Sequence, residues 1–364
     1  MPGSIRRDVT GAMVHRTIFR PYSSGVCGRG TDQMVAAADS VRLGVARFRG
    51  GNRPDVILGS VPGLPTLPAA LAVGRVLHRP VVVGLRDAWP DILASAADWG
   101  SSPGRAGSRW SRVRRAALSG VRGAIPPVVT RLEREAAAIV TTTDSFARVL
   151  RGRGMGRVVT VRNTAVPRDW ALPAVPREQP DEALHVLYLG TVGRAQGLRS
   201  AVRAAALARA QGTRMVLRIV GEGADLAPTR CEAEELGAPV EILPMVPADR
   251  VAAHYAWADS VLVSLQDWPS MELTVPSKLY EVMATGRHVS VAAAGAAGRI
   301  VKASRSGDVV PPQDPAALAR LWQELAADRD RLVVTGGGPW LEAHASCSAL
   351  LDRYEAVLER TAHA

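Results

Sequence analysis

The stretch "YLGTVGRAQGLRS", Tyr188–Ser200, decides the fold class that the sequence predicts. An apolar run typical of a buried strand leads into it and ends at Gly190. Gly193 and Gly197 follow, and a helical pattern begins directly after them. A strand, a glycine-rich turn and a helix N-terminus in this order predict a site that binds an anion. A tight turn that binds nothing is the alternative interpretation of the same glycines.

The C-terminal half continues this alternation of strands and helices. Predicted strands lie at 185–189, 215–220, 240–243, 260–265 and 288–292. Predicted helices lie at 198–210, 226–236, 249–256 and 277–285. Regular alternation of this kind predicts a parallel, doubly wound sheet.

The N-terminal half contains a second block of the same type, separated from the first by a proline-rich stretch. Its short apolar, β-branched runs lie within 55–62, 80–91, 136–150 and 157–166. We therefore predict an α/β protein with two Rossmann-like, doubly wound domains and a cleft between them. The predicted boundaries are 1–166 for the N-terminal domain, 167–183 for the linker, 184–338 for the C-terminal domain, and 339–364 for one helix that closes back toward the N-terminal domain.

Composition excludes several classes of protein. The chain has 364 residues, 47% of them apolar, which suits a globular protein with two domains. No run of 18 apolar residues predicts a transmembrane helix, and the first residues lack the apolar segment of a signal peptide. Three cysteines lie far apart and predict a reducing compartment and no zinc site. We therefore expect a cytoplasmic protein.

The net charge of +11 comes almost entirely from arginine, since Lys278 and Lys302 are the only lysines. Affinity for an acidic surface explains such a charge, and a coding bias toward arginine and alanine explains it equally well. The segment Ser101–Pro127 carries arginines between apolar residues at helical spacing. It predicts either a basic helix on an anionic membrane surface or a solvated helix packed on its own domain.

The stretch "VPSKLYE", Val275–Glu281, predicts the start of a helix with Ser277 as its N-cap. Lys278 then lies in the first turn, where the helix dipole disfavours a cation, so a bound phosphate would explain its position. Glu281 follows about one turn later, where a carboxylate can accept hydrogen bonds from a ribose. The alternative is a surface ion pair between Lys278 and Glu281 that contributes roughly a few tenths of a kcal/mol.

Ligands of doubly wound domains lie beyond the carboxyl ends of the strands. Three segments of the C-terminal half are predicted there, namely 188–200, "VGEGAD" at 220–225, and 268–286. Each segment alone is typical of any tight turn between a strand and a helix. Together the three favour a binding site for a nucleotide diphosphate.

Four stretches carry a family resemblance, namely "YLGTVGRAQGL", "VGEGA", "YAWADSVLVSL" and "VPSKLYEVMATGR". In this order and at this spacing they resemble the donor-binding domain of family 4 glycosyltransferases with the GT-B fold. In the N-terminal half, "RPDVILGSVP" and "VVVGLRDAWPD" resemble the bacterial branch that builds cell-surface polysaccharides. The resemblance covers about residues 54–354. It implies a retaining, metal-independent enzyme that uses a nucleoside diphosphate sugar, with UDP favoured over GDP, and no cofactor.

The resemblance also implies the residues of the donor site. Glu281 would hold the ribose, while the glycine loop, Arg194 and Lys278 would hold the diphosphate. Two cations and helix N-termini can stabilise a leaving diphosphate without a metal ion. The segment "LPMVP", at 243–247, would contact the base through its backbone. The full predicted set is Gly190, Gly193, Arg194, Gln196, Gly221, Gly223, Met245, Ser277, Lys278, Leu279 and Glu281.

The sequence departs from the family pattern at three points. The family often has a second glutamate eight residues before the ribose-binding one, where this chain has Leu273, preceded by Glu272. It often has a basic residue before the last glycine of the loop, where this chain has Gln196. The family also opens with a strand, a glycine-rich loop and a helix, a unit of about 30–45 residues that is not recognisable here. We expect an N-terminal domain without this first βα unit, and a misassigned start codon, partial replacement of the unit by residues 13–19 or an incomplete cleft are open explanations.

The predicted catalytic residues are Asp87 and Arg86, which follow a predicted buried strand in "GLRDAWPD". Asp87 is expected to contact the acceptor hydroxyl or the donor sugar, and Arg86 to pair with an acceptor phosphate. The alternative for Asp87 is a helix cap.

The expected partners are a nucleotide-sugar donor, a lipid-linked acceptor and, through 101–127, an anionic membrane surface on the inner face. No motif for binding nucleic acid is present. Two other functions stay open, namely transfer to a soluble natural-product acceptor, and a non-catalytic subunit that binds nucleotide sugars.

Overall fold

The computed structural model describes residues 4–18, 26–61, 63–94, 125–165, 170, 172 and 183–363. The chain divides into two units. Unit 1 comprises Met1–Val161 and Leu351–Ala364, and unit 2 comprises Arg162–Leu350. Most of the predicted basic segment, 101–127, and most of the predicted linker, 167–183, lie outside the described residues.

Unit 1 is built on four parallel strands. Two short strands come first, β1 Ile5–Arg7 and β2 Met13–His15, and form a separate antiparallel pair. The parallel strands are β3 Ile57–Val61, β4 Val81–Leu85, β5 Ala138–Thr141 and β6 Val158–Thr160, and they pair in chain order. The helices are α1 Val26–Arg47, α2 Thr66–Leu77, α3 Asp91–Ala94, α4 at 125–133 and α5 Asp144–Gly152.

Strand β3 has a single neighbour, β4, among the described residues. The expectation of a domain without its first βα unit stays a prediction. The suggestion that residues 13–19 replace that unit is wrong for the residues described, because β2 pairs with β1 outside the parallel sheet. A strand of a parallel sheet is buried on both faces, whereas Met13 and Val14 are exposed.

Unit 2 contains a six-stranded parallel sheet. Its strands are β7 Leu184–Leu189, β8 Met215–Val220, β9 Val240–Leu243, β10 Ser260–Ser264, β11 His288–Ala292 and β12 Gly307–Val310. They pair in the order β12-β11-β10-β7-β8-β9. The chain thus leaves β7 on one side to form β8 and β9, and on the other side to form β10, β11 and β12. The point where the order reverses lies at the carboxyl ends of β7 and β10, and it is where such folds bind ligands.

Helices follow the strands of unit 2 and bury their apolar faces on the sheet. They are α6 Leu198–Ala210, α7 Leu226–Glu235, α8 Val251–Trp257, α9 Ser277–Thr285, α10 Gly295–Ser304, α11 Pro315–Ala327 and α12 Gly337–Ala345. The last helix, α13 Cys347–Ala362, begins in unit 2 and belongs to unit 1 from Leu351 onward. Ala201 and Ala205 of α6 and Trp322 of α11 are fully buried in one core cluster with Leu184 and Val186 of β7. Burial of these side chains holds α6, and therefore the loop before it, in a fixed position.

The single helix predicted for residues 339–364 is wrong. Helix α12 ends at Ala345, and Ser346 takes an extended conformation with φ −62° and ψ 138° before α13 begins. The Ser346 carbonyl accepts a hydrogen bond from Leu350 N, so Ser346 starts the second helix. Serine favours such an N-terminal position over a helix interior, which explains the break.

Among the described helices, none combines the length and the apolar character that a membrane span requires.

Candidate functional site

The loops after β7, β8 and β9 lie side by side at one edge of the unit 2 sheet. They carry Gly190, Gly221 and Met245, and the Met245 side chain is exposed. Val192 N donates a hydrogen bond to Glu222 O at 2.8 Å, so the first two loops are joined directly. The structure therefore brings the first two predicted segments, 188–200 and 220–225, into contact.

Two glycines permit this close approach. A Cβ atom on Gly221 would lie 1.8 Å from the backbone oxygen of Gly190. A Cβ atom on Gly223 would lie 2.2 Å from the backbone oxygen of Val192. Both distances are far below van der Waals contact, so a side chain at either position would push the loops apart.

Residues Arg194–Gln196 form a single 3₁₀ turn between Gly193 and α6. The Gln196 Oε1 atom accepts a hydrogen bond from Gly193 N at 3.1 Å. Gly197 has φ 59°, a left-handed conformation that suits glycine, and α6 begins directly after it. Gln196 therefore closes the loop with a neutral amide, while the Arg194 side chain is exposed.

The positive charge of Arg194 acts on a neighbouring carboxylate. Burial raises the pKa of Asp225, and the guanidinium groups of Arg199 and Arg194 oppose this shift. Asp225 N also donates to Val192 O at 3.0 Å. Arginine and carboxylate side chains therefore lie together beside the glycine loop, with Arg199 Nε 3.8 Å from Asp225 Oδ2.

Gln266, which the sequence analysis did not single out, joins this loop to the end of β10. Gln266 N donates to Ala195 O at 2.8 Å, and the Gln266 side chain packs against Gly197. The contact lies at the point where the strand order reverses. No sequence motif marks it, because it depends on β7 and β10 being neighbours in the sheet.

Helix α9 begins at Ser277, with Pro276 in the N-cap position, so the predicted N-cap role of Ser277 is wrong. Proline fixes φ, here at −59°, and so prepares the turn into the helix without a side-chain cap. The Ser277 side chain is exposed at the start of the helix. The Leu279 side chain is fully buried, and Leu279 N donates to Pro276 O at 3.0 Å.

Lys278 and Glu281 form an ion pair on α9, with 3.0 Å between Nζ and Oε1. The hydroxyl of Tyr255, on α8, donates to the same Oε1 atom at 2.9 Å. A Cβ atom on Gly190 would lie 4.0 Å from Lys278 Cγ, so the pair borders the glycine loop. The ion pair that the sequence offered as the alternative to a phosphate-binding lysine is therefore present, and it lies at the edge of the predicted diphosphate site.

Glu272, next to the position where the family often has a second glutamate, lies on a 3₁₀ turn, Met271–Leu273. Its side chain is exposed, and its backbone packs closely against Gly295, at the start of α10. A Cβ atom on Gly295 would lie 2.2 Å from Glu272 O. The described contacts of Glu272 therefore involve its backbone.

In unit 1, Arg86 and Asp87 follow the carboxyl end of β4, as predicted. Burial raises the pKa of Asp87, and the charge of Arg86 opposes this shift. Tyr354 of α13 was not predicted here, yet a Cβ atom on Gly84 would lie 3.5 Å from its hydroxyl. Burial raises the pKa of the Tyr354 hydroxyl, and the charge of Arg86 opposes this shift, so the two side chains are neighbours. A polar cluster of Arg86, Asp87 and Tyr354 thus forms at this end of β4.

A Ser–His–Asp chain lies in unit 2 but has the features of a structural network. Ser260 Oγ lies 2.9 Å from His288 Nδ1, and His288 Nε2 lies 3.1 Å from Asp308 Oδ2. The hydrogen bond from His288 holds the pKa of Asp308 below its usual value. Ser260 is fully buried on β10, so a substrate has no access to this serine. Elsewhere in the described chain, no group of three or more His, Cys, Asp or Glu side chains could hold a metal ion.

Residues 183–328 match the model of the family described as glycosyl transferases group 1. This part of the chain resembles the group 1 glycosyl transferases. The matched residues include the glycine loop and α9, so the similarity covers the part of the chain that forms the candidate site.

Among curated proteins, this chain is similar to WcaI of Escherichia coli (strain K12), which its name assigns to glycosyl transfer in colanic acid biosynthesis. The two are 23% identical over 256 residues, which is 66% of this chain and 58% of WcaI. The matched part thus spans less than two thirds of WcaI.

Two solved structures confirm the predicted fold class, the GT-B fold with Rossmann-like units. Sucrose-phosphate synthase from Thermosynechococcus elongatus matches with a TM-score of 0.72 and 15% identity, over 99% of this chain and 86% of that one. Anabaena HepE, solved in complex with UDP and glucose, matches with a TM-score of 0.66 and 15% identity, over 95% of this chain and 86% of that one.

Proposed function

We propose that this chain is a retaining, metal-independent glycosyltransferase that moves a sugar from a nucleoside diphosphate sugar to an acceptor in cell-surface glycan assembly. A UDP-sugar is the preferred donor, and no cofactor is required. The observation that carries the proposal is the Lys278–Glu281 pair at the start of α9, beside the glycine loop. The complex of HepE with UDP and glucose and the name of WcaI support it.

In this proposal, donor binding is divided among groups of unit 2. Backbone N–H groups of the glycine loop and of the first turns of α6 and α9 bind the diphosphate oxygens. Lys278 and Arg194 stabilise the negative charge that develops as the bond between sugar and diphosphate breaks. Glu281 accepts hydrogen bonds from the ribose through Oε2, which makes no hydrogen bond to a described residue. Met245 and its neighbours contact the base.

On the acceptor side, Asp87 accepts a hydrogen bond from the attacking hydroxyl group. The raised pKa of its half-buried carboxyl makes Asp87 a stronger base than an exposed aspartate. Arg86 binds an anionic group of the acceptor. A phosphate group of a lipid-linked acceptor fits this role, and a soluble natural-product acceptor with an acidic group is the competing possibility.

Replacement of Lys278 tests the donor site. We expect Lys278→Ala to lower the affinity for UDP and GDP about tenfold, because a charge-assisted hydrogen bond to the diphosphate is lost. Glu281→Ala is also expected to lower the affinity for UDP and GDP. Isothermal titration calorimetry measures the affinities, and Lys302→Ala is the matched control, since Lys302 is the other lysine, exposed on α10. Unchanged UDP and GDP affinities in both site variants would contradict the assignment.

The reaction itself is tested by nuclear magnetic resonance of the product. Retention of the anomeric configuration of the donor sugar, with turnover that EDTA does not reduce, is the expected result. Inversion would overturn the retaining mechanism. Binding of nucleotide sugars without turnover, for all acceptors tried, would favour the non-catalytic subunit instead.

We also propose that the chain acts in the cytoplasm, peripherally on the inner membrane face, through the basic segment 101–127. We expect it to co-sediment with vesicles containing about 30% phosphatidylglycerol and to be released at about 0.5 M NaCl, because salt screens such attraction. A variant with Arg105, Arg109 and Arg112 changed to glutamine should stay in the supernatant. Equal sedimentation with neutral vesicles, or none with either, would favour a soluble acceptor.

A further inference from the structure

Tyr255 connects α8 to the carboxylate of the candidate donor site. Its side chain is fully buried, and its hydroxyl donates to Glu281 Oε1 at 2.9 Å. Tyr255 and Glu281 are 26 residues apart in sequence, so only the fold brings them together. Lys278 Nζ donates to the same oxygen at 3.0 Å. One carboxylate oxygen therefore receives two hydrogen bonds, which fix the position of the second, Oε2.

Tyr255 is itself held at two further points. The buried guanidinium of Arg287 donates from Nε to Tyr255 O at 2.9 Å, which anchors the backbone of α8 at this residue. The ring of Trp170 packs on the Tyr255 ring, with centroids 5.3 Å apart. Because backbone and ring are both fixed, the hydroxyl has one position, and this position faces Glu281.

Holding the Glu281 carboxylate in one position costs conformational entropy, and this entropy is lost when the protein folds. A glutamate side chain loses rotamer freedom when it is held in one conformation, and this loss normally weakens ligand binding. With Tyr255 in place, the loss has occurred before the nucleotide arrives. Lys278 cannot replace Tyr255 in this role, because its side chain is partly exposed and is the group that we assign to the diphosphate.

We infer that Tyr255 is a positioning residue that directs Glu281 Oε2 at the ribose diol, and that it thereby determines a preference for ribonucleoside over deoxyribonucleoside diphosphates. The inference rests on the proposed function and adds to it a residue and a selectivity. A site that binds a hydroxyl through a fixed acceptor rejects a ligand without that hydroxyl more strongly than a mobile acceptor does. Tyr255 therefore acts on the ribose through Glu281, without contact to the nucleotide.

The test compares UDP with 2′,3′-dideoxy-UDP, and GDP with 2′,3′-dideoxy-GDP, by isothermal titration calorimetry on the full chain. In the unmodified protein we expect the ribonucleotide of the preferred base to bind at least tenfold more tightly than its dideoxy form. In Tyr255→Phe we expect this ratio to fall below threefold, through weaker binding of the ribonucleotide alone. The affinity for the dideoxy form should change less than twofold. If the substitution disrupted packing instead, the affinities for the ribonucleotide and for its dideoxy form would fall by the same factor.

Tyr280→Phe is the matched control, because Tyr280 is also a fully buried tyrosine and lies next to Glu281 on α9, with its ring near Trp340. In Tyr280→Phe, the ratio of the ribonucleotide affinity to the dideoxynucleotide affinity should equal that of the unmodified protein. In a Glu281→Ala background, Tyr255→Phe should have no further effect on the ratio, since the two act as one unit. The inference would be overturned if Tyr255→Phe kept the affinity ratio of the unmodified protein, or if it lowered the affinities for the ribonucleotide and the dideoxy form by the same factor. Failure of the unmodified protein to bind either ribonucleotide would instead overturn the proposed function, and the inference with it.

Discussion

Gly221→Ala is expected to lower the free energy of unfolding by about 3 kcal/mol, the upper part of the usual range for overpacking. The added Cβ atom would lie 1.8 Å from the carbonyl oxygen of Gly190. Relief of this clash requires the loops after β7 and β8 to separate. These loops are joined through the Val192–Glu222 hydrogen bond, so the separation also breaks that bond. The change should therefore weaken nucleotide binding together with stability.

Denaturant unfolding followed by circular dichroism measures the first effect, and calorimetry with UDP measures the second. Gly338→Ala is the matched control, because Gly338 lies in helix α12 of the same unit and a Cβ atom there meets nothing within 4 Å. Alanine in a helix should leave stability unchanged or raise it by up to about 1 kcal/mol. Equal stabilities of the two variants would show that the loops can part without cost.

Glu133 makes the stability of unit 1 depend on pH. Its side chain is fully buried on α4, and neither carboxylate oxygen has a hydrogen-bond partner among the described residues. Burial raises its pKa to about 7, against the opposing charge of Arg153 and with a further upward contribution from Asp91. The folded state thus keeps a proton that the unfolded chain releases near pH 4.5, the ordinary pKa of a glutamate.

Because the folded pKa is raised, the contribution of Glu133 to stability is fully present below about pH 4.5 and is lost as the pH rises through about 7. The expected loss is about 3 kcal/mol, from a shift of this size. Glu133→Gln keeps the shape of the side chain and removes the titration. Its stability should exceed that of the unmodified protein by less than about 1 kcal/mol at pH 5 and by about 3 kcal/mol at pH 8.

Unfolding free energies of the two proteins between pH 5 and pH 8 provide the measurement. Glu355→Gln, a change of the same type at an exposed position of α13, should follow the unmodified protein at every pH. A constant difference between Glu133→Gln and the unmodified protein across the range would mean that Glu133 does not titrate there.

Most of the unit 2 sheet could be predicted from the sequence, because its strands are buried runs bounded by turns. The predictions for β8, β9 and β11 match the observed bounds, and so does that for α9. Strand β12, Gly307–Val310, was missed, since it is short, half-buried and begins with glycine. It forms a strand because β11 offers a free edge for pairing, and a local pattern carries no information about that edge.

The candidate site likewise contains residues that the sequence indicated and residues whose contacts only the fold creates. Lys278 was conspicuous because lysine is rare in this chain, and Glu281 because of its spacing from Lys278. Tyr255 lies in a stretch that carries the family resemblance, but nothing in that stretch indicates its contact with Glu281, and Tyr354 gave no signal of its contact with β4, since each meets its partner through the packing of distant elements. The role of Gln196 was also unforeseen, because the sequence shows a missing cation there and the structure shows an amide that closes the turn.

The ion pair between Lys278 and Glu281 has a consequence for turnover if the proposed function holds. Each charge of the pair is neutralised by the other, so in that function a nucleotide would compete with an internal counter-ion. After sugar transfer, the Glu281 carboxylate would compete with the nucleoside diphosphate for the Lys278 ammonium group. The proposed function therefore predicts weaker binding of the nucleoside diphosphate and faster release of this product in every cycle.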